Sequence, residues 1–290
     1  MLSAGARIAL VAPSGVFDPD RLARGVAMVE DWGFTVVPGP HLHDRCRYNA
    51  GTVEDRTADL AWALTAQDID AVWFARGGYG TVQTLTGLPW GALDGRPVIG
   101  FSDATALFSA MHVRGGASGI HGPVVHSLAD LSDAESQAAM RQLLQGGEVN
   151  LAGSGLLSGQ GPASGPVVGG NLCVLGSLAG TPWALRAKGC IVVLEEVGEV
   201  PYRVDRLLQQ LIDSGALDGA VGIGLGEFVD CDPPEDAGWT LEDVLRDRLA
   251  PLGLPVVRGL PVGHGPRNRA WRVGAHGTLD ADGLRQAHVG

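Results

Sequence analysis

Short apolar runs alternate with longer segments of helical character along the first part of the chain, and this alternation constrains the fold most. Thr52 can cap a helix over residues 53–66, whose first turn carries Glu54 and Asp55 beside the positive end of the helix dipole. The pattern predicts strands at 7–12, 35–37, 71–75 and 97–100, and helices at 18–32, at 53–66, from 81 onward and at 104–112. Such alternation is typical of a doubly wound parallel sheet, with ligands at the carboxyl ends of the strands.

The alternation resumes in the second half after a stretch of different composition. Gly, Ser and Ala dominate residues 115–170, which is typical of a linker or of irregular β structure. Beyond it, the pattern predicts strands at 191–194, 221–227 and 256–259, helices at 203–214 and 240–249, and short β strands over 272–288. We therefore predict an α/β protein with an N-terminal doubly wound parallel-sheet domain over 1–150, a Gly/Ser-rich linker over 151–165, and a C-terminal mixed α/β domain, rich in β structure, over 166–290. The active site is expected in the cleft between the domains.

Charge and cysteine usage exclude several functions. The chain has 21 Lys and Arg against 32 Asp and Glu, a formal net charge of −11, so neither nucleic acid nor an anionic membrane is an expected partner. The four cysteines form no CxxC pair and have no His cluster beside them at metal-ligand spacing, which favours reduced thiols and no metal. No signal-peptide layout and no run of about 18 apolar residues occurs, so we expect a cytoplasmic protein.

A serine stands where a predicted strand turns into a predicted helix. Ser102 follows the strand at 97–100, and the helix begins at Ala104. At such a turn the hydroxyl is held outward, while the amide of Asp103 and the helix N-terminus can stabilise an oxyanion, as in a nucleophile elbow. The alternative is that Ser102 only caps the helix, a common task for serine.

A glycine-rich loop, Arg76-Gly77-Gly78-Tyr79-Gly80, follows the predicted strand at 71–75. Closely spaced glycines allow positive φ and let a ligand approach the backbone, so their amides could bind an anion or serve as a second oxyanion donor. The spacing matches neither GxxxxGK[ST] nor GxGxxG, the two nucleotide-binding loops. A plain tight turn is the alternative.

Two later segments supply an acid and a histidine. Glu195 and Glu196 directly follow an apolar strand, at the edge where catalytic groups collect in open α/β sheets, and Glu199 is close by. His264 lies between glycines in a loop, where a histidine can act as a general base, and His121 has a similar setting. A solvated surface acid and a structural histidine are the alternatives.

Three of these candidates fit together as a set. Ser102, Glu195 and His264 each lie at or just beyond the end of a predicted strand, and they occur in the order Ser, acid, His that the α/β-hydrolases use. The long intervals between them mean that only tertiary folding can unite them.

The sequence resembles the LD-carboxypeptidases, a family of serine peptidases, together with the related microcin C self-immunity hydrolases. Matching blocks run in collinear order along nearly the whole chain: IALVAPSG at 8–15, GTVEDRTADL at 51–60, WFARGGYGT at 73–81, VIGFSDAT at 98–105, HGP at 121–123, GGNLCVLGSLAGTPW at 169–183, VLEEVGEVPYRVDR at 193–206 and GLPVGHGP at 259–266. A collinear series of this kind is far more specific than any single motif.

The resemblance implies a triad of Ser102, Glu195 and His264, with an oxyanion hole formed by the amides of Asp103 and of the RGGYG loop at Gly78. The family pattern commonly reads LED where this chain reads LEE, which leaves Glu195 in place. It also implies two domains, with the serine on the first and the acid and histidine on the second, and usually a homodimer.

The resulting hypothesis is a serine carboxypeptidase that hydrolyses the L,D-peptide bond before the C-terminal D-alanine of murein tetrapeptides in cell-wall recycling. The expected partner is this small peptide, and no metal or organic cofactor is required. A carboxypeptidase must bind a terminal carboxylate, for which Arg76 is the first candidate and Arg203 and Arg206 are alternatives. Gly77 belongs to the same candidate substrate-binding loop, and Asn171 either hydrogen-bonds the substrate or turns the backbone.

The main alternative is a microcin-immunity-type hydrolase, which cleaves an amide between an amino acid or peptide and a nucleotide-like group. Such an enzyme should carry aromatic residues that stack on a purine. The segment between residues 129 and 168 has none, which favours the wall peptide, although Trp183 and Trp239 remain candidate stacking surfaces. A non-catalytic sensor of wall peptides would need none of the three triad candidates, and a nucleotide-dependent enzyme would need a phosphate-binding fingerprint that the chain lacks.

Overall fold

The structure is a computed structural model and describes residues 1–115 and 119–287. The strands of the described residues are β1 Arg7–Val11, β2 Thr35–Pro38, β3 Ala71–Phe74, β4 Val98–Gly100, β5 Gly119–His121, β6 Val149–Ala152, β7 Leu156–Ser158, β8 Ala163–Asn171, β9 Ile191–Val197, β10 Gly222–Val229, β11 Val256–Val257, β12 Trp271–Val273, β13 His276–Asp280 and β14 Gly283–Gln286. The helices are α1 Pro19–Asp31, α2 Val53–Thr65, α3 Thr81–Thr84, α4 Thr105–Arg114, α5 Val125–Leu128, α6 Ala134–Leu144, α7 Leu172–Leu178, α8 Pro201–Asp213 and α9 Leu241–Leu249. Short 3-10 turns cover Leu85–Gly87, Trp90–Ala92, Ser102–Ala104 and Ala250–Leu252.

Six strands form the first sheet, in the order β12-β5-β4-β3-β1-β2. Strands β1 to β5 pair in parallel, as the alternation of strands and helices predicts. Every residue of β3 is buried, which explains why it reads as a continuous apolar run rather than an alternating one. The last strand, β12, comes from the far end of the chain and pairs antiparallel with β5, with Trp271 opposite His121.

The second sheet has eight strands, in the order β6-β14-β13-β8-β9-β10-β11-β7. Its centre, β8 to β11, is parallel, and the flanking strands are antiparallel. The predicted α/β class with a second mixed domain rich in β structure is therefore confirmed. The carboxyl ends of β4 in the first sheet and of β9 in the second carry Ser102 and Glu195.

The Gly/Ser-rich stretch at 151–165 contributes residues to β6, β7 and β8 of the second sheet. Its glycines allow close backbone contact: a Cβ at Gly159 would lie 2.2 Å from the Leu254 carbonyl oxygen, and one at Gly165 would lie 2.2 Å from that of Gly189. The domain boundaries predicted at 1–150, 151–165 and 166–290 remain a prediction. Strand pairing in the second sheet links the three segments.

Most predicted elements begin and end within a few residues of the observed ones. The helix predicted at 53–66 is α2, and Thr52 and Asp55 form its capping box. Helix α6 was not predicted, although its buried Met140, Leu143 and Leu144 have helical spacing, because the composition of residues 115–170 indicated a linker or irregular β structure. The short strands predicted over 272–288 are β12 to β14, and residue 288 lies outside the described residues. No helix among the described residues is long and apolar enough to span a bilayer.

Candidate active site

Ser102 lies where β4 ends and a helical turn begins. Its φ is 60°, a left-handed conformation that is strained for a residue other than glycine. The residue at the N-cap of α4 is Ala104, and Ser102 makes no capping hydrogen bond there. Its Oγ instead lies 3.2 Å from Nε2 of His264. The geometry thus favours a half-buried nucleophile on an elbow over a helix cap.

Ser102, His264 and Glu195 are joined by hydrogen bonds although they are far apart in sequence. Nδ1 of His264 lies 2.8 Å from Oε2 of Glu195, on the side of the ring opposite to Ser102. The Glu195 side chain is 0% exposed and that of His264 is 20% exposed. The three residues predicted from strand ends and chain order are therefore brought together in the order Ser, His, Glu.

The structure distinguishes among the three acids that the sequence left open. Glu195 points to His264, whereas the next side chain along β9, Glu196, points to the opposite face of the strand. The Glu196 carboxylate accepts hydrogen bonds from the amides of Cys173 and Val197 at 2.7 and 2.8 Å, and burial raises its pKa. Glu199 pairs with an arginine on α8.

Asn171 is not among the residues that line the pocket at Ser102. It is 5% exposed, and its Oδ1 caps α7 by accepting from the amide of Val174 at 3.1 Å. Its Nδ2 donates to Glu196 at 2.9 Å, and its own amide donates to Thr105 Oγ1 at 3.0 Å. These contacts give Asn171 a structural task, and its predicted role in substrate binding remains a prediction.

His121, the second histidine with a site-like setting, lies behind the site. It is 0% exposed, its ring stacks on Trp271 at 5.0 Å, and it meets the edge of Phe101, whose ring lies 4.3 Å from that of His264. Burial, with a smaller effect of His264, lowers the pKa of His121 to about 3. His121 is therefore a neutral packing residue at ordinary pH.

The glycine-rich loop lies against the serine. A Cβ at Gly77 would lie 2.9 Å from Cβ of Ser102, so only glycine fits there without a shift. Gly78 has a φ of 114°. Neither the amide of Gly77 nor that of Gly78 donates a hydrogen bond to another described residue. Two unused backbone donors therefore belong to the loop that lines the same pocket as Ser102.

Two buried charged side chains hold this loop in place, and the sequence analysis missed both roles. The carboxylate of Asp103 accepts from Ser14 Oγ at 2.6 Å and from the amide of Thr81 at 2.8 Å. Burial raises the pKa of Asp103. The guanidinium of Arg56 donates to the carbonyls of Pro13 at 2.6 Å and Gly80 at 2.9 Å. The sequence feature that could have revealed the role of Arg56 is an arginine at a core-facing position of a predicted helix, inside the block at 51–60.

A pocket of about 380 Å³ opens above Ser102. Both halves of the chain line it: Arg21, Arg76, Gly77, Gly78, Phe101, Ser102, Val124, His126, Ser127, Leu131, Ser132, Gly263, His264, Gly265 and Asn268. Of the three arginines considered for the terminal carboxylate, Arg76 is in this lining and Arg203 and Arg206 are not. A separate cavity of about 400 Å³, lined by Met1, Leu144 and Arg272 among others, includes none of the predicted site residues.

Family models match both halves of the chain. The model for the LD-carboxypeptidase N-terminal domain matches residues 8–122, and the model for the C-terminal domain matches residues 164–279. The chain belongs to the LD-carboxypeptidase family. It is 40% identical to a murein tetrapeptide carboxypeptidase from Pseudomonas aeruginosa, over 96% of this chain and 94% of that protein. A probable murein peptide carboxypeptidase from Bacillus subtilis is 32% identical, over 96% of this chain and 90% of that protein.

Solved structures agree with this family assignment. A muramoyltetrapeptide carboxypeptidase from Oxalobacter formigenes superposes with a TM-score of 0.88 at 29% identity, covering 97% of this chain and 99% of that chain. The microcin C7 self-immunity protein superposes with a TM-score of 0.87 at 21% identity, covering 99% and 97%, which shows a shared fold only. The predicted LD-carboxypeptidase family and its two-part α/β fold are therefore confirmed, and the chain is an enzyme of the carboxypeptidase class.

Proposed function

We propose that the chain is a serine carboxypeptidase that releases the C-terminal D-alanine from murein tetrapeptides. The observation that carries the proposal is the series of hydrogen bonds from Ser102 through His264 to Glu195, at the floor of a pocket of about 380 Å³. The names of the Pseudomonas and Bacillus relatives support the choice of a murein peptide as the substrate.

The proposed reaction begins at the Ser102 hydroxyl. Nε2 of His264 takes the hydroxyl proton while Oγ attacks the carbonyl carbon that precedes the terminal D-alanine. Glu195 accepts from Nδ1 of His264, which fixes the ring and stabilises its protonated form. His264 returns the proton to the leaving amine, D-alanine departs, and an ester on Ser102 remains. Water then attacks this ester, with His264 as the base, and frees the tripeptide.

The proposed oxyanion hole consists of the amides of Gly78 and Asp103. The amides of Gly77 and Gly78 in the glycine-rich loop are unused among the described residues, and Asp103 follows the nucleophile within the helical turn Ser102–Ala104. Deletion of one such donor usually costs about 3 kcal/mol of transition-state stabilisation. The hydrogen bonds that Arg56 donates and the one that the Asp103 carboxylate accepts from Thr81 fix the two segments that provide these amides.

We further propose that this site lies in a cleft between an N-terminal domain over 1–150 and a C-terminal domain over 166–290. The pocket lining supports this proposal, because it includes residues 21–132 from one half and 263–268 from the other. Cytoplasmic location and a homodimer belong to the same proposal. Cell fractionation and light scattering of the purified protein test them.

The test uses purified protein and L-Ala-γ-D-Glu-meso-diaminopimelate-D-Ala, with release of D-alanine followed by mass spectrometry. We expect release by the wild type, loss of release with Ser102→Ala, and normal release with Ser177→Ala, because Ser177 is an exposed serine on α7. Release that survives in Ser102→Ala would overturn the mechanism. Cleavage of aminoacyl-nucleotide amides with no release of D-alanine would favour the microcin-immunity alternative.

A further inference from the structure

One wall of the pocket at Ser102 is positively charged, in contrast to the rest of the molecule. Arg21 in the first turn of α1, Arg76 after β3 and His126 on α5 all line this wall. No Asp or Glu occurs in the lining among the described residues, although the chain carries 32 acidic against 21 basic side chains. The sign of the local charge indicates that this wall receives an anion.

The two arginines of this wall have no acidic partner in the part of the chain that the structure describes. Arg76 donates only to the carbonyl oxygen of Val16, and the guanidinium of Arg21 forms neither an ion pair nor a hydrogen bond there. Half-buried Arg21 therefore keeps all its donors available to a ligand. A guanidinium offers two parallel donors, which match the geometry of a carboxylate.

Acidic side chains near the wall are used elsewhere. Asp18 accepts from the amides of Asp20 and Arg21 as the N-cap of α1, at 2.9 and 3.2 Å. Asp130 pairs with Arg24 at 2.7 Å. Both carboxylates lie close enough to Arg21 and His126 to interact with them electrostatically, but neither lines the pocket, so a ligand there would meet the basic side chains directly.

His126 supplies a donor of a different kind. Burial and the positive charges of Arg76 and Arg21 lower its pKa, which places both guanidinium groups close enough to affect the same ring. A neutral imidazole donates a single hydrogen bond, so His126 can complete an anion site without adding a charge that must be desolvated.

We infer that Arg21 and Arg76 bind the free C-terminal carboxylate of the peptide substrate, with the His126 ring as an additional hydrogen-bond donor. This inference rests on the proposed function, because it makes the pocket beside Ser102 the place of the leaving residue. It explains how the enzyme removes one terminal residue rather than cutting within a chain: an internal peptide bond has no carboxylate to offer this wall. It also adds Arg21 and His126 to Arg76, which is the first candidate from the sequence.

The test measures binding without turnover. Ser102→Ala protein is titrated in a calorimeter with L-Ala-γ-D-Glu-meso-diaminopimelate-D-Ala and with the same peptide carrying a C-terminal amide. We expect the free acid to bind about 10- to 100-fold more tightly, the range for a hydrogen bond between charged groups. Arg21→Gln in the Ser102→Ala background should remove most of this preference and leave the affinity for the amide nearly unchanged. Arg141→Gln removes the same charge from the exposed face of α6 and should preserve the preference.

The outcomes separate this inference from the proposed function. Equal binding of acid and amide, no binding of either, or an undiminished preference in Arg21→Gln would overturn the carboxylate site. Preferential binding of the acid without release of D-alanine by the wild type would instead overturn the proposed reaction and leave the carboxylate site in place.

Discussion

Glu195 and Glu196 are neighbours in the chain, yet their carboxylates lie in different surroundings. Oε2 of Glu195 contacts His264 at 2.8 Å, whereas Glu196 accepts from Asn171 Nδ2 at 2.9 Å and from the amide of Cys173 at 2.7 Å. The difference follows from strand geometry, which sends successive side chains to opposite faces. One acid therefore belongs to the proposed reaction and the other to the junction of β9 and α7.

Single substitutions should separate these two acids. We expect Glu195→Gln to lower kcat about 10⁴-fold with little change in stability, because the amide stabilises neither the required tautomer nor the charged form of His264. Glu196→Gln should instead reduce the free energy of unfolding by about 1–3 kcal/mol, because it disrupts hydrogen bonds to a buried charged group. Steady-state kinetics and urea titrations of the matched pair measure both effects. A larger loss of kcat in Glu196→Gln would contradict the assignment.

The buried His121 makes stability depend on pH. Its pKa is lowered to about 3 from an ordinary value of 6.5, so between these values the unfolded chain binds a proton that the folded chain does not. The stabilisation is complete above pH 6.5 and is lost as the pH falls toward 3, by up to about 1.4 kcal/mol per pH unit. Urea titrations from pH 7 to pH 4 should show this slope in the wild type and a shallower one in His121→Gln.

The control for this prediction is His276→Gln, since His276 is exposed on β13. It should keep the slope of the wild type. An unchanged slope in His121→Gln would show that other groups cause the acid sensitivity.

Ser102 and His264 could be predicted as site residues because each has a local sequence signal: a serine at a strand-to-helix turn and a histidine between glycines. Arg21 and His126 have no such signal. They meet only because α1 and α5 pack beside the loop after β3, and that packing is not encoded in the spacing of either residue.

Among the elements, α2 has a task beyond covering the first sheet. Arg56 on its buried face donates to carbonyls in the two loops that follow β1 and β3, at Pro13 and Gly80, and to Gln83 Oε1 at 2.7 Å. One side chain thereby fixes the separation of two loops, and the second of these provides Gly78, one of the two proposed oxyanion donors.

Removal of this link should affect catalysis through position rather than contact. Arg56→Met keeps the apolar stem but leaves a buried carbonyl without a donor, at a cost of about 1–3 kcal/mol of stability. Displacement of the loop by about 1 Å should lower kcat about 100-fold, with a smaller change in KM. Arg141→Met, on an exposed helix face, is the control. A folded Arg56→Met variant with normal kcat would show that the loop holds its shape without the arginine.

The strands within the Gly/Ser-rich stretch were not predicted for a physical reason. Glycine and serine from 151 to 165 indicate a linker by composition, but in β8 the same composition serves close packing: a Cβ at Gly165 would lie 2.2 Å from the carbonyl oxygen of Gly189. The strand-helix alternation of the first half could be read because each element has its own periodicity. Close approach between two strands depends on which strand lies beside the glycine, and a local sequence pattern carries no information on that neighbour.

For the molecule as a whole, the main apolar core does not follow the proposed domain boundaries. It includes Trp73 and Phe108 from the first half together with Val167, Leu260 and Trp271 from the second. The first sheet also combines both halves of the chain, because its edge strand β12 comes from the second half. The family models at 8–122 and 164–279 describe two parts, and this core joins them.

A shared core predicts that both sheets unfold in one cooperative transition. Trp271 is 0% exposed, so Trp271→Ala should lower the free energy of unfolding by about 3–5 kcal/mol. Amide hydrogen exchange should report this loss equally in β1 of the first sheet and in β9 of the second, because β9 contributes Ile191 and Val193 to the same core and the protected amides of both strands exchange through one global opening. Trp239→Ala, at a site that is 46% exposed, should change either value by less than about 0.5 kcal/mol. If Trp271→Ala weakened protection in β1 and left β9 unchanged, the two parts would fold independently, and the boundary near residue 150 would separate two thermodynamic domains rather than two parts of one core.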